Sequence, residues 1–304
     1  MTDGTGLDAA KPYPLEVTDS HPANVAGIPV RRALPLRQRR MVGAWCFADH
    51  LGPLPVTEEH GLEVGPHPHI GLQTVTWLIE GEALHRDSLG SEQLIRPGQL
   101  NLMTAGEGIA HAEEATGQYR GTMQGIQLWI AQPDSTRHGA PAFEHLPELA
   151  ATDLGGGVGT VLIGEFGQAR SNALHDTALV GADLALVEPS TVPLLAEFEY
   201  ALIVLQGVLH VEGRPLAPGQ LGYLRNGREE VTIDVGDPTR AILIGGEPFA
   251  EQILMWWNFV GRSREELEDA NSSWDHDDGR FGTVASQLPR VLTRGPFWGF
   301  GSSK

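Results

Sequence analysis

Two short segments of this chain hold the residue types that can do chemistry. Gly65-Pro66-His67-Pro68-His69-Ile70-Gly71 sets two imidazoles two residues apart. Gly106-Glu107-Gly108-Ile109-Ala110-His111-Ala112-Glu113 sets an imidazole and a carboxylate at the same spacing. In extended backbone, residues i and i+2 leave the same face, about 7 Å apart along the strand. Each pair can therefore converge on one ion. A hairpin arrangement that brings the segments face to face would offer three nitrogens and one carboxylate oxygen. That donor set suits Fe(II), Mn(II), Ni(II), Cu(II) or Zn(II), and not Ca²⁺ or Mg²⁺, which want oxygen. An octahedral ion would keep two positions for O₂ or a chelating substrate. With 12 histidines in the chain, one His-x-His could be coincidence. Two i, i+2 pairs in separate extended segments are a much stronger signal.

The elements that must position these residues read as strands. Thr74 to Ile79 is rich in β-branched and aromatic residues and ends at Glu80-Gly81. Gln93 to Ile95 runs into Pro97-Gly98, Leu100 to Met103 alternates, and Gln124 to Ile130 is a further strand. The pattern resumes with strands expected at Thr160–Phe166, Asp183–Glu188, Tyr200–Gln206, Val208–Glu212, Gly219–Leu224, Glu230–Val235 and Arg240–Ile244. Short strands with frequent turns and almost no helical periodicity predict an all-β protein built as a sandwich or barrel. Strand alternation assigns Trp77, Leu102 and Met103 to the apolar walls around the site.

The two halves echo one another. Trp77-Leu78-Ile79-Glu80-Gly81 followed by Pro97-Gly98-Gln99-Leu100 is matched by Val204-Leu205-Gln206-Gly207 followed by Pro218-Gly219-Gln220-Leu221. Two tandem β-modules explain the repeat. The boundaries expected are 1–135 for the first module, 136–150 for a proline-bearing linker, 151–250 for the second module and 251–304 for a tail. Residues 1–12 read as a frayed end. Ser263-Arg264-Glu265-Glu266 is a capping box, in which Glu266 reaches back toward Ser263, and predicts a helix from about Arg264 to Ser273. Trp256, Trp257 and Phe259 read as packing residues. In the second module His210 stands alone and 224–230 contains no histidine, so no metal is expected there.

Composition narrows the function classes. Of 304 residues, 41% are hydrophobic, which excludes global disorder. The formal charge of −18 disfavours phosphate backbones and anionic membranes alike. The single cysteine, Cys46, excludes an internal disulfide and sits among Ala44, Trp45 and Phe47 as a buried, inert thiol. Neither a membrane span nor a secretory leader is visible, so the cytoplasm is expected. Arg31, Arg32, Arg37, Arg39 and Arg40 read first as salt-bridge partners in an acidic protein and second as an anion-binding patch. Gly155 to Gly159 precedes a strand and is not a phosphate loop. Asp275 to Gly279 lacks the spacing of a calcium loop, and His138 and His145 form no credible second site.

Gly61-x5-His67-x-His69 and Gly108-x2-His111 resemble the two metal motifs of the cupin superfamily. His67-Pro68-His69-Ile70-Gly71, Thr104 to Ile109, His111-Ala112-Glu113, Asp87-Ser88-Leu89-Gly90 and Trp256 to Ser263 resemble the pirin family more closely. The resemblance spans roughly Pro29 to Trp274. It implies a bicupin, two tandem jelly-roll-like β-barrels with a short C-terminal helix and the metal in the first barrel. It implies His67, His69, His111 and Glu113 as ligands of one divalent ion, Fe(II) first, with Mn, Ni, Cu, Zn or Co compatible. Where cupins usually carry a glutamate ligand this chain has Gln73, expected to be a pocket group. The implied activity is that of a quercetin 2,3-dioxygenase-like oxidoreductase acting with O₂ on a small aromatic, flavonol-type chelator, with Glu113 as the base if it loosens from the metal, or a nearby carboxylate such as Glu107. The alternative is a non-catalytic, iron-dependent regulatory pirin that acts through a protein partner. A metal-dependent isomerase is a third, weaker reading.

Overall fold

The structure is a computed structural model and describes residues 13–58 and 61–293. The end read as frayed, residues 1–12, lies outside them. The first module pairs two antiparallel sheets. A seven-stranded sheet runs Ala142–Leu146, Leu100–Thr104, Leu72–Glu80, Gly121–Ala131, Trp45–Val56, Ile28–Leu34, His21–Val25. A four-stranded sheet runs Glu63–His69, Ile109–Glu114, Ala83–Asp87, Glu92–Ile95. The second module repeats the plan with an eight-stranded and a four-stranded sheet. The strands expected from alternation are present: Glu230–Val235 matches end to end, and the others differ by a few residues at their ends.

Two segments cross between the modules, and a third extends the first module's large sheet. Glu16–Asp19 joins the second module's large sheet by pairing with Gln220–Leu224. Residues 142–146, inside the stretch read as a linker, form a strand on Leu100–Thr104 of the first module. The tail folds back onto the first module, where Phe259 bridges Ile70 and the Val260 amide donates to the Ile70 carbonyl at 3.1 Å.

The two large sheets stack face to face over one apolar cluster. Val75, Trp77, Leu100, Leu102 and Leu128 of the first meet Leu162, Ile203, Leu221 and Ile242 of the second. Trp77 and Leu102 therefore face the neighbouring module, not the site. Antiparallel pairs share a face, so Trp77 goes with its partner Leu100, and Thr76 and Leu78 take the inward face. The Trp77 indole N–H donates to the buried Asp183 carboxylate at 2.8 Å, which also accepts from Arg240. Met103 does lie on the inward face, in a cluster with Phe47 and Trp129.

Inside the second module, Leu15, Phe166, Leu184, Tyr200, Leu202, Val211, Val231 and Ile233 close the space between its sheets. The first module instead encloses a cavity of about 440 Å³. Cys46 is buried and its thiol is pushed up to about 12 by desolvation, which keeps it protonated.

The helix runs Arg264–His276, three residues beyond the expected end. Trp274 anchors the last turn in a tail cluster with Phe259 and Phe281, and Asp277 ends it in the left-handed conformation. Ser263 caps it by accepting from the Glu266 amide at 3.2 Å. The Glu266 carboxylate accepts from the Arg262 amide, not from that of Ser263, and is held by Arg137 as well. No helix among the described residues is long and apolar enough to cross a membrane.

Candidate metal centre

His67 and His69 lie on Glu63–His69, and His111 and Glu113 on Ile109–Glu114, two adjacent antiparallel strands. The register sets His111 opposite His67 and then slips, so that Glu113 faces Val64. One extra residue on the first strand, at Gly65-Pro66, forms a bulge, and Pro66 has no ladder N–H to lose there. The bulge changes the relative aim of the two i, i+2 pairs.

His67, His69 and His111 converge, with their candidate ligand nitrogens all within 4.8 Å of one another. They are the one such group among the described residues. The Nε2 atoms of His69 and His111 are 3.0 Å apart. His67 donates from Nδ1 to the Gly65 carbonyl at 2.9 Å and His69 from Nδ1 to the Asn258 carbonyl at 3.0 Å. A carbonyl only accepts, so these two rings carry their proton on Nδ1 and turn an Nε2 lone pair inward. Burial pushes His67 down to about 4. Burial first, then the neighbouring His67, push His69 and His111 well below the ordinary histidine value. All three rings are neutral at pH 7, as ligands must be.

Glu113 stands at the same cavity but outside the close group of three. Partly accessible from the cavity it lines, it is still pushed up from the ordinary glutamate value by desolvation, against the smaller pull of His85 and of Thr76. The Thr76 hydroxyl faces both Glu113 Oε1 at 3.3 Å and Gln127 Oε1 at 3.0 Å.

The cavity walls are mostly apolar: Val30, Leu62, Val64, Leu78, Ile126 and Met255 among others. Phe47 and Trp129 stack at 4.0 Å along one side, and Trp129 meets the His69 ring edge-on. Arg32 also lines it, held bidentately by Asp49 at 2.8 and 2.7 Å. Arg32 thus fits the salt-bridge reading, as does Arg39, which reaches Glu16 at 2.9 Å. Gln73 is not a cavity group. It points to the other face, where its amide donates to Thr104 and to the Leu174 carbonyl of the second module.

Sequence reasoning missed two contributors. One is the tail: Trp257 and Asn258 line the cavity, Trp257 in the left-handed conformation that large side chains rarely adopt. The Val291 amide donates to the Pro66 carbonyl at 2.8 Å, so the tail grips both ends of the His67–His69 segment. The other is His85, buried behind His111 with their Nδ1 atoms 3.4 Å apart. His85-Arg86-Asp87 repeats the i, i+2 pattern of the two site segments, the one signal that could have marked it.

Comparison with known proteins agrees with this architecture. Residues 27–130 match the pirin family model, and residues 182–282 match the model of the pirin C-terminal cupin domain. A Pseudomonas aeruginosa protein named "Putative quercetin 2,3-dioxygenase" is 49% identical over 87% of this chain and 85% of its own length. A "Pirin-like protein" of Caulobacter vibrioides is 35% identical over 87% of this chain and 97% of its own. The crystal structure of a quercetin 2,3-dioxygenase from Acinetobacter baumannii superposes with a TM-score of 0.89 at 46% identity, covering 92% of this chain and 94% of that one.

Proposed function

The chain belongs to the pirin family, and from that premise we propose that it is a metal-dependent dioxygenase of flavonol-type chelators. His67, His69 and His111 hold one divalent transition ion, Fe(II) first, with Glu113 as the fourth donor. The observation that carries this reading is the convergence of three neutral, buried imidazoles at the wall of a largely apolar cavity. The names carried by the 46–49% identical relatives point the same way.

Bound there, the ion would act as a Lewis acid that lowers the pKa of a chelating hydroxyl and opens a path for electrons to O₂. The protein's own groups do the rest. Glu113, once it loosens from the ion, is the carboxylate placed to take the substrate hydroxyl proton at an Oε atom. Thr76 orients that carboxylate through its hydroxyl. Trp129, backed by Phe47 and set edge-on to the His69 ring, gives the cavity an aromatic wall beside the ligands for a flat aromatic molecule. The aliphatic walls exclude water, and about 440 Å³ matches a small-molecule site.

The test is metal analysis of reconstituted protein followed by oxygen uptake with a panel of flavonols. About one equivalent per chain is expected, lost in His111→Ala and kept in His210→Ala, with substrate-dependent O₂ consumption. A loaded protein that consumes no oxygen with any chelator refutes the enzymatic reading and leaves a metal-dependent binding protein.

A further inference from the structure

We propose that His85 and Asp87 are positioning residues that fix which nitrogen of His111 carries its proton, and thereby set the strength of the metal centre. The inference rests on the metal reading of the three histidines. Both residues lie on Ala83–Asp87, in register with the ligand strand: Asp87 opposite His111 and His85 opposite Glu113. Both are buried. The His85 ring stacks on Phe143 at 4.3 Å and 13°, which fixes its plane.

The proton assignment follows from one end of the chain of contacts. Asp87 Oδ1 accepts from the Leu89 and Ser91 amides at 2.9 and 3.0 Å. Asp87 Oδ2 lies 3.1 Å from His85 Nε2. Two backbone amides donate to this carboxylate, which therefore meets His85 as an acceptor. An ionised carboxylate only accepts, so His85 Nε2 carries a proton. With that N–H directed at Asp87, the other ring nitrogen of His85, Nδ1, is the atom that faces His111 Nδ1 at 3.4 Å and can accept from it. His111 Nδ1 must then be the donor, and its lone pair falls on Nε2. That atom is 3.0 Å from His69 Nε2, whose own ring proton is spent on Asn258. Two lone pairs so close repel unless a cation lies between them. Each of the three histidines thus has its outer nitrogen tied down, two by carbonyls and His111 by the His85–Asp87 relay.

Asp87→Asn inverts the relay with almost no change in shape. The two backbone amides hold the Asn carbonyl oxygen at the Oδ1 position, so the NH₂ faces His85 Nε2. His85 then protonates on Nδ1, His111 loses its acceptor, and the His111 proton moves to Nε2, where it blocks coordination. Two readouts apply. The first is ¹⁵N NMR of histidine-labelled, metal-free wild type and variant, which distinguishes Nδ1–H from Nε2–H rings. The second is Fe(II) or Zn(II) affinity by competition with a chelator. Expected are Nδ1–H for His111 in the wild type, Nε2–H in Asp87→Asn, and about a 10- to 100-fold loss of affinity in the variant. An Nε2–H His111 in the wild type, which needs no variant to fold, overturns the relay. So does a folded Asp87→Asn that binds metal within twofold of wild type. A wild type with the expected tautomers but no metal affinity would instead refute the metal reading.

Discussion

Gly71→Ala tests whether the tail is part of the metal centre or a bystander. Gly71 follows the ligand strand at φ +67, and a Cβ there would lie 2.1 Å from the Val260 carbonyl oxygen. Gly98, in the Pro97-Gly98 turn, has φ +85 with nothing within 4 Å of a Cβ. Both alanines meet the left-handed backbone penalty, roughly 1–2 kcal/mol. Only Gly71→Ala adds a collision. Real Cβ contacts essentially never fall below 3.0 Å, so the backbone of Phe259–Gly261 must retreat by about 0.9 Å, a minimum taken as the gap between the two distances. A shift of that size breaks the 3.1 Å bond from the Val260 amide to Ile70, worth about 1 kcal/mol. It also drags on Asn258, the acceptor for His69. The expected cost is roughly 2–3 kcal/mol for Gly71→Ala against roughly 1–2 for Gly98→Ala. Metal affinity should fall about tenfold in the first and hold in the second. Urea unfolding, protease cleavage within 254–292 and chelator competition measure these quantities. Equal stability and equal affinity of the two variants would refute the idea that tail docking supports the site.

The other expectations are simpler. Glu113→Gln, which keeps the shape and loses the charge, should weaken metal binding and any turnover at least about tenfold, whereas Glu114→Gln should bind metal as wild type does. Ser263→Ala should cost about 1 kcal/mol in urea unfolding through loss of the helix cap; no change would mean that the helix does not contribute to cooperative stability. His50 is pushed down to about 3, first by burial and then by Arg31, so below pH 6.5 the unfolded chain takes up a proton that the folded one refuses. Stability of the metal-free protein should therefore be highest above pH 6.5 and fall as the solution is acidified toward pH 3. His50 alone accounts for about 2 kcal/mol between pH 7 and 5. His50→Gln should lose that part of the pH slope, and an unchanged slope would show that His50 titrates normally.

Much of this protein is legible in its sequence because the relevant physics is local. Alternation marks strands wherever one face is buried, as at Glu230–Val235. Two-residue spacing puts His67 with His69, and His111 with Glu113, on common faces before any fold is known. Ser263 and its glutamates start a helix through bonds made within one turn. What the sequence by itself cannot determine is which face of a strand meets which neighbour. Trp77 and Thr76 are both compatible with the site until register and sheet stacking turn the indole toward Asp183 and the hydroxyl toward Glu113. Contacts between residues far apart in the chain are equally invisible. Asn258 fixes His69 across 189 residues, Val291 holds Pro66, and the strand inside the expected linker belongs to the first module. His85 becomes a partner of His111 only when Ala83–Asp87 pairs with the ligand strand. Residue types and spacing determined which side chains could serve a metal. Long-range strand pairing decided which of them meet, because distant segments are brought together by packing and register, for which no local pattern carries a code.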